Sequence, residues 1–483
     1  MPKGFDMLKI ARAMGVVVPM GLVAAAGAAE PHGDHLDGVL TEGVHVCYPG
    51  EDGLLTGQIV EMPIAPSVIE MQGRGKSRGN GDNRMDLVFV GDGYTSNQMG
   101  LYHQHVDNIV DDFFRYEPYT SYEPYFRITA VEVVSNDSGV DNDPSQGISR
   151  DTALDMAYWG NGIERLLIVN VSKAYSFANT APDVDQVLAV ANSSKYGGAG
   201  YPSSNLGTVA GANGSAVDVA IHENGHSLGD LADEYTYGGS TTYTGSEPSD
   251  ANASKLTEAQ QTAQQRKWYR WMGTSIPGFD GPTGTYEGAV YSQLGVYRPS
   301  NNSMMRALGR PFNLPSTEKL IREIYREVSP IDAATDSGTV DEGGTLSVTP
   351  MRPSGHDLQI IWEIDGAISF PLTGSESIDI SSLGLTPGEH TIDLTVVDNT
   401  PWVRDPVIRD AFLTDTRSYI VTISGCASPA DLNGDGLLDV FDVFAYLDAF
   451  NAGDLGAADM NADGTLDIFD VFAFLDVFNA GCP

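Results

Sequence analysis

Residues 220–235 read AIHENGHSLGDLADEY, and this stretch decides the fold class of the domain that contains it. His222 and His226 are four residues apart, so on a helix both rings lie on one face and can reach one metal ion. Glu223 follows the first histidine and can take a proton from an attacking water without ligating the metal. The stretch therefore predicts a catalytic zinc site.

A helix over residues 216–228 is predicted to carry this motif. Ser215 and Asp218 form a candidate capping box at its N-terminus. Gly225 lies inside the helix and costs about 1 kcal/mol relative to alanine, which favours either a close neighbour at this position or a cost absorbed elsewhere. Gly229 offers the break at which the chain can turn back toward the histidines.

A catalytic zinc needs a third protein ligand and one open position. The nearby candidates are Asp230, Asp233 and Glu234, and a glutamate on a later helix, Glu258, is a further alternative. On an unbroken helix Asp233 would lie about 10 Å along the axis from His226, but a turn after the helix brings it back. Asp233 is the predicted ligand and Glu234 the next choice, while the remaining acids are expected to orient the histidines or hold the loop.

The composition excludes several classes of partner. The chain has 483 residues, which predicts several domains, and a formal net charge of −38. Nucleic acids and anionic membrane surfaces would repel such a chain, so no nucleic-acid partner is expected.

The first 29 residues are predicted to be a signal peptide. Three basic residues precede a short apolar run that ends in small residues, with AGA at 26–28 as the candidate cleavage site. Export to the extracellular space or the cell surface is therefore expected. No membrane span is expected after signal removal, because no other apolar run is long enough.

Four further segments are distinguished by their patterns. Residues 30–84 are predicted to be a β-rich segment followed by a Gly-rich linker. Strand and helix patterns alternate over 85–328, which predicts an α/β domain that holds the zinc site. Short alternating strands predict an Ig-like β-sandwich over 329–425, and residues 426–483 contain an internal repeat.

Each copy of this repeat has the spacing of an EF-hand-type calcium loop. Calcium prefers six to eight oxygen ligands, and the spacing folds that many around one point. The expected ligands of the first calcium ion are Asp431, Asn433, Asp435, Leu437 (through its carbonyl), Asp439 and Asp442. Those of the second calcium ion are Asp459, Asn461, Asp463, Thr465, Asp467 and Asp470.

An apolar-striped helix is predicted after each loop. The two helices are expected to pack on each other, so that calcium binding and folding are linked. The striped residues are Phe441, Phe444 and Leu447 in the first copy and Phe469, Phe472 and Leu475 in the second.

The chain has three cysteines. Cys426 and Cys482 bracket the repeat and can pair across it, since export permits disulfides. Cys47 is left without a partner, and the sequence assigns it no role. No pro-segment is recognisable between the signal peptide and the α/β domain.

The repeat resembles a dockerin module, which implies a cohesin partner. The loop residues match well. Positions 10 and 11 are Val440–Phe441 and Ile468–Phe469, where many dockerins have small hydroxyl residues. This departure argues against an ordinary cohesin, so the expected partner is cohesin-like or on a cell surface.

Residues 44–328 resemble the M64 family of metallopeptidases, often called IgA peptidases. The resemblance rests on DLVFVGDGYT, HENGHSLGDLADEY and YEGAVYSQLGVYRPSNNSMMR, which occur in the family's order. It implies a metzincin-like fold, with His222, His226 and Asp233 as zinc ligands and Glu223 as the catalytic residue. It also places a methionine turn at SMMR, where Met305 is preferred over Met304.

The predicted function is a secreted zinc endopeptidase that hydrolyses peptide bonds of extracellular proteins or glycoproteins, with Glu223 as general base. The alternative is an inactive, calcium-dependent surface adhesion or binding protein, which the intact Glu223 argues against. Tyr235, Tyr291 and Tyr297 are candidates to stabilise the oxyanion, although core or rim positions would suit them equally.

The calcium prediction has a direct test on the repeat. Chelation with EGTA should lower the melting temperature of residues 426–483, because binding only to the folded state adds about 2.7 kcal/mol at a hundredfold excess over Kd. Differential scanning calorimetry with and without calcium measures the shift. A double change, Asp431→Ala with Asp459→Ala, should abolish it, and an equal calcium response in that variant would contradict the prediction.

Overall fold

The computed structural model describes residues 41–50, 54–63, 83–236 and 241–482. The predicted signal peptide and most of the predicted linker lie outside the described residues.

A central mixed sheet organises the first part of the chain. Its strands are β1 (Thr41–Pro49), β2 (Leu55–Pro63), β3 (Met85–Asp92), β4 (Phe126–Val131), β5 (Gln186–Ala191), β6 (Gly198–Tyr201) and β7 (Leu206–Ala210). They are ordered β2-β1-β6-β7-β5-β3-β4. Strands β4, β3, β5 and β7 are parallel, whereas β6 is antiparallel to β7 and β1 is antiparallel to β6.

The centre of this sheet is buried on both faces, as expected for parallel strands covered by helices. In β3, Leu87 and Phe89 face one core while Val88 and Val90 face another, because side chains alternate along a strand. Helices pack on both faces, which gives a layered α/β domain.

Ten helices occur in the described ranges. They are α1 (Met99–Phe113), α2 (Tyr119–Tyr122), α3 (Val171–Ala178), α4 (Ala216–Ser227), α5 (Glu258–Gln264), α6 (Leu314–Glu327), α7 (Pro406–Phe412), α8 (Val440–Ala452), α9 (Leu455–Ala458) and α10 (Ile468–Ala480). Helices α1, α4 and α6 share one core with the sheet, and α3 lies on the opposite side. Within the described residues, no helix has the length and apolarity needed to cross a membrane.

A hairpin and two smaller sheets complete the strands. The hairpin is β8 (Tyr286–Ala289) with β9 (Ser292–Arg298). The smaller sheets contain β10 (Ile331–Ala334), β11 (Gly338–Val340), β12 (Thr345–Pro350), β13 (Gln359–Ile364), β14 (Ala367–Ile368), β15 (Ser377–Asp379), β16 (Gly388–Val397) and β17 (Thr414–Ile423). Their orders are β10-β12-β15 and β11-β17-β16-β13-β14.

The two smaller sheets share one core around Trp362 and Tyr419. Strand β12 contributes Leu346 and Val348 to it, in the alternating pattern of a strand buried on one side. A multidomain chain with a mixed α/β domain is therefore confirmed, while the Ig-like assignment stays a prediction.

The second domain is joined to the α/β domain through a buried carboxylate. Asp398 accepts hydrogen bonds from Tyr122 Oη at 2.6 Å and from Tyr325 Oη at 2.8 Å. His356 Nε2 lies 2.9 Å from the other carboxylate oxygen. Burial raises the pKa of Asp398, but His356 and the two tyrosine hydroxyls outweigh burial and lower it.

A second contact ties α6 to the segment before α7. Glu318 accepts hydrogen bonds from the Trp271 indole at 2.6 Å and from the backbone amides of Arg404 at 2.6 Å and Asp405 at 2.8 Å. The α/β domain and the domain formed by the two smaller sheets are thus held together by hydrogen bonds to two buried carboxylates.

The tandem repeat folds as a small helical module closed by the Cys426–Cys482 disulfide. Its helices α8 and α10 meet through Tyr446 and Phe474, whose rings stack with centroids 4.2 Å apart. The striped residues predicted to make this contact are exposed instead: Phe441, Phe444, Leu447, Phe469, Phe472 and Leu475. These helices are apolar on more than one face, so periodicity did not select the buried one.

The contact between His356 and Asp398 should give the stability a defined pH dependence. The Asp398 hydrogen bond raises the pKa of His356 above its usual value. The stabilisation from His356 is therefore complete below about pH 6.5 and is lost as pH rises through the folded pKa. Since the pKa of Asp398 is lowered, its stabilisation is complete above about pH 4 and is lost on further acidification.

His356→Gln should consequently reduce the free energy of unfolding most between about pH 4 and pH 6.5, by about 1.5 kcal/mol or more. Chemical denaturation across this range measures the difference. The matched control is His390→Gln, which removes a histidine–aspartate contact at the surface and should have little effect. A loss that is the same at pH 5 and pH 9 would contradict this interpretation.

Candidate metal centre

Helix α4 carries the two histidines, and tertiary contacts rather than a capping box fix its start. The side chain of Ser215 makes no capping hydrogen bond, so the predicted box is wrong. Asp218 is instead paired with Arg115, which lies two residues after the end of α1. The helix ends at Ser227, one residue before the predicted end, and buries Val219 and Ile221 in the core.

The backbone orients both histidines. His222 Nδ1 lies 3.0 Å from the carbonyl oxygen of Met304, and His226 Nδ1 lies 2.6 Å from that of Leu231. Carbonyl oxygens only accept hydrogen bonds, so each Nδ1 carries the proton. In the neutral rings both Nε2 lone pairs then point at one place, where these atoms are 3.1 Å apart. This is the arrangement of paired metal ligands.

The chain turns back toward the histidines at Asp230, not at Gly229. Asp230 has the left-handed φ of 45°, and the amide of Leu231 bonds to the carbonyl of Gly225 at 3.2 Å. A Cβ on Gly229 would lie 2.7 Å from the same carbonyl. Gly229 therefore permits close packing, while the exposed Asp230 makes the turn.

This turn brings Asp233 to the histidines. Its Oδ1 lies 3.3 Å from His222 Nε2 and 3.2 Å from His226 Nε2. Its Oδ2 accepts a hydrogen bond from Tyr291 at 2.5 Å and lies 2.9 Å from His45 Nδ1. Burial raises the pKa of Asp233, but the contacts with His226, His222 and His45 lower it well below its usual value. Asp233 is thus a buried carboxylate anion.

The three ligand atoms fit a zinc ion. In a tetrahedral site with bonds of about 2.0–2.1 Å, nitrogen and oxygen ligands are about 3.3 Å apart. The distances between His222, His226 and Asp233 are 3.1, 3.3 and 3.2 Å. Burial lowers the pKa of His222, but the hydrogen bond with Asp233, the charges of Glu223 and Asp233 and the Met304 carbonyl together outweigh burial and raise the pKa. A divalent cation at this place would be the positive partner of the Asp233 carboxylate.

Glu223 lies beside this centre and is almost completely buried. Its Oε2 has no hydrogen-bond partner in the described part of the chain. The carboxylate lies against β6, where a Cβ on Gly198 or Gly200 would be 3.3 Å or 2.9 Å from its oxygens. Burial raises the pKa of Glu223 to about 8. An unpaired carboxyl group with such a pKa is suited to exchanging protons near neutral pH.

The other predicted acids lie elsewhere. Glu234 accepts hydrogen bonds from Ser303 at 2.7 Å, Asn252 at 2.9 Å and Asn313 at 2.6 Å. Glu234 thereby connects the loops that contain these three residues. This is the role expected for an acid that does not bind the metal. Glu258 is exposed at the start of α5. In the described part of the chain, two groups of side chains are compact enough to bind one metal ion, and Glu258 belongs to neither.

Both methionines of the predicted methionine turn support the centre. Met304 and Met305 are fully buried. The carbonyl of Met304 orients His222, whereas the sulfur of Met305 lies 2.7 Å from where a Cβ on Gly225 would be. Gly225 is therefore needed for the close contact between α4 and this turn.

Two residues of β1 reach the centre that the sequence did not assign to it. Cys47 Sγ lies 2.9 Å from His222 Nε2 and 3.4 Å from Asp233 Oδ1. The His45 ring stacks on His226 with centroids 3.7 Å apart. His45 and Cys47 are two apart and so share one face of β1. A His-x-Cys pair on a strand is the signal that could have identified them.

The candidate tyrosines occupy different positions. Tyr291 contacts Asp233, and Tyr235 is buried with its hydroxyl 3.2 Å from Cys47 Sγ. Tyr297 lies on β9, where its backbone pairs with Ser254.

The two predicted calcium loops close on themselves in the same way. Asp442 accepts hydrogen bonds from the amides of Asn433 at 3.3 Å and Asp439 at 2.9 Å, and Asp470 repeats both contacts in the second copy. The described residues contain two groups of His, Cys, Asp and Glu side chains that are compact enough to bind one metal ion. Both groups include His226, and neither includes a residue of the predicted calcium loops. Calcium binding therefore stays a prediction for both sets of ligands.

Comparison with known families gives a match that supports a peptidase. Residues 75–282 match the model of the IgA peptidase M64 family. The match includes His222, Glu223, His226 and Asp233, and it indicates a metallopeptidase. A search of curated proteins finds no match to this chain. The matched range excludes Cys47.

The contact between Gly225 and Met305 predicts opposite effects of the same substitution at two helical glycines. Gly225→Ala should lower the free energy of unfolding by about 1–3 kcal/mol, because the added methyl group overlaps the Met305 sulfur. Gly100→Ala, in α1 with nothing within 4 Å of the added Cβ, should raise it by up to about 1 kcal/mol. Urea denaturation of both variants measures this, and a gain in Gly225→Ala would contradict the packing described.

Proposed function

We propose that this protein is an exported zinc-dependent endopeptidase that hydrolyses peptide bonds of extracellular proteins. One observation carries the proposal: His222 Nε2, His226 Nε2 and Asp233 Oδ1 lie within 3.1–3.3 Å of one another beside the unpaired carboxyl group of Glu223. Two neutral imidazoles and one carboxylate are a donor set that zinc accepts in catalytic sites. The match to a peptidase family supports the same reaction class.

His222, His226 and Asp233 would hold the ion. When bound, zinc supplies a Lewis acid that polarises the scissile carbonyl and makes a water molecule acidic enough to react near neutral pH. Glu223 accepts the proton of the attacking water and passes it to the leaving amine. Its burial beside the ligand atoms of His222 and His226 places the carboxyl group where it can carry out both steps.

Tyr291 acts on the aspartate ligand. Its hydroxyl donates a hydrogen bond to Asp233 Oδ2 and leaves Oδ1 facing the histidines. This contact fixes which carboxylate oxygen is offered to the metal, as hydrogen bonds to ligands commonly do. Tyr291 is therefore a positioning residue in this proposal.

Export and the C-terminal module complete the proposal. The charged and apolar N-terminal residues supply the export signal, with cleavage near Ala28 or Ala29. The tandem repeat would bind two calcium ions and serve as a docking or stabilising unit. Its exposed phenylalanines, Phe441 and Phe469, offer an apolar surface to a partner. The alternative of an inactive binding protein is not favoured, because Glu223 is present and unpaired.

The decisive experiment compares zinc content and proteolysis for Glu223→Gln and wild type. Both proteins should contain one equivalent of zinc, while the variant should lose about 10²–10⁴-fold in kcat because the proton acceptor is gone. Metal analysis and hydrolysis of an unfolded protein mixture, with calcium present, give both values.

The control for this experiment is Glu258→Gln, which changes an exposed acid away from the centre and should retain full activity. Wild type without zinc would refute the metal site. Equal activity in Glu223→Gln and wild type would refute the role of Glu223.

A further inference from the structure

Strand β1 covers the metal centre with the thiol of Cys47. Its Sγ lies 2.9 Å from His222 Nε2, 3.4 Å from Asp233 Oδ1 and 4.0 Å from His226 Nε2. For a tetrahedral ion with a metal–sulfur bond of about 2.3 Å, sulfur is about 3.5 Å from each other ligand atom. The observed distances scatter around this value. Cys47 therefore occupies the fourth corner of the tetrahedron whose other corners are His222, His226 and Asp233.

A fourth protein ligand changes what the centre can do. Catalytic zinc sites keep one position open for water and substrate, whereas sites with four protein ligands are closed and structural. With Cys47 in place, the donor set is complete. The reacting groups then have no vacant position on the metal.

The same strand covers the adjacent edge of the catalytic sheet. β6 pairs with β7 on one side. On the other side His45 of β1 lies opposite Gly200 in an antiparallel arrangement, and Leu166 bridges to Gly198. A free sheet edge binds an extended peptide through backbone hydrogen bonds. Because β6 also carries the glycines against Glu223, this edge is where a peptide would reach the centre. β1 occupies this edge at Gly200.

Contacts of both strands hold the hairpin of β1 and β2 in position. The amide of Leu55 donates to the carbonyl of Arg306 at 2.7 Å. Cys47, Leu55 and Tyr235 form a small buried cluster. His45 adds its ring stack on His226 and its contact with Asp233. The thiol is thus delivered by a docked element and not by a loose tail.

We propose that the β1–β2 hairpin is an intramolecular inhibitor, in which Cys47 is the fourth metal ligand and β1 occupies the substrate edge of β6. This inference rests on the proposed zinc peptidase function. With a metal bound, the Cys47 thiol would give its proton to solvent and its sulfur would bind the metal; on departure of the hairpin this metal–sulfur bond would break and the sulfur would take up a proton from solvent. Neither step involves oxidation or reduction. Displacement of the hairpin opens both the metal and the sheet edge.

The ligand assignment is tested by spectroscopy on the full chain. Cys47 is the only cysteine outside the disulfide, so a thiolate signal from the bound metal identifies it. Zinc X-ray absorption of wild type should show one sulfur neighbour at about 2.3 Å, and the Co²⁺-substituted protein should show a thiolate charge-transfer band. Both signals should be absent in Cys47→Ser.

The inhibitory role is tested on the same proteins. Cys47→Ser at equal zinc content should hydrolyse an unfolded protein substrate about ten- to a hundredfold faster than wild type, because the open form becomes the major population. The matched control is Thr41→Ala, which removes an exposed hydrogen bond to Glu61 in the same hairpin. It should leave both the spectrum and the rate unchanged.

A second variant keeps the test independent of how Cys47→Ser folds. A site for a sequence-specific protease in place of residues 72–79 allows the hairpin to be cut from the rest of the chain. Cleavage and removal of the hairpin should raise activity by the same factor and abolish the sulfur signal.

The outcomes distinguish this proposal from the proposed peptidase function on which it rests. Zinc bound only by nitrogen and oxygen in active wild type would overturn the inhibitor and leave the peptidase intact. A sulfur ligand without activation in Cys47→Ser or after hairpin removal would also overturn it. Absence of zinc from every protein would overturn both proposals.

Discussion

The hydrogen bond from His226 Nδ1 to the carbonyl of Leu231, 2.6 Å long, is the contact on which the candidate metal centre depends. It fixes the ring so that Nε2 faces His222, and it also holds the turn after α4 against the helix. Asp233 follows two residues later and is thereby directed to the same place. The Leu231 carbonyl thus fixes the orientation of the His226 ring and also the course of the chain that brings Asp233 to it.

The sequence predicted the parts of the centre that follow from local geometry. The spacing of His222 and His226 is a property of the α-helix, so it needed no knowledge of the rest of the chain. The return of Asp233 was predicted from a break after the helix, and the structure brings this residue to the histidines. The residue at the turn was misassigned, because Gly229 is required for close packing while Asp230 adopts the left-handed conformation.

The sequence could not predict the long-range contacts of the centre, and the reason is physical. Cys47 is 175 residues from His222 in the chain, and no helical or strand period relates positions so far apart. The strand that carries it joins the sheet at β6, a pairing that depends on register and not on composition. The sequence did not predict the contacts of Asp398 between the two domains either, because these residues are also far apart in the chain. In α8 and α10, apolar residues on several faces left the buried face undetermined.

The disulfide of the C-terminal module has a mechanical consequence. Cys426 and Cys482 bring the two ends of the module together, with Cα atoms 5.2 Å apart. When the protein is anchored at its C-terminus and pulled from its N-terminus, tension passes through the sulfur–sulfur bond and bypasses the residues between the cysteines. Both loops and both helices would stay unloaded under a force that extends the rest of the chain.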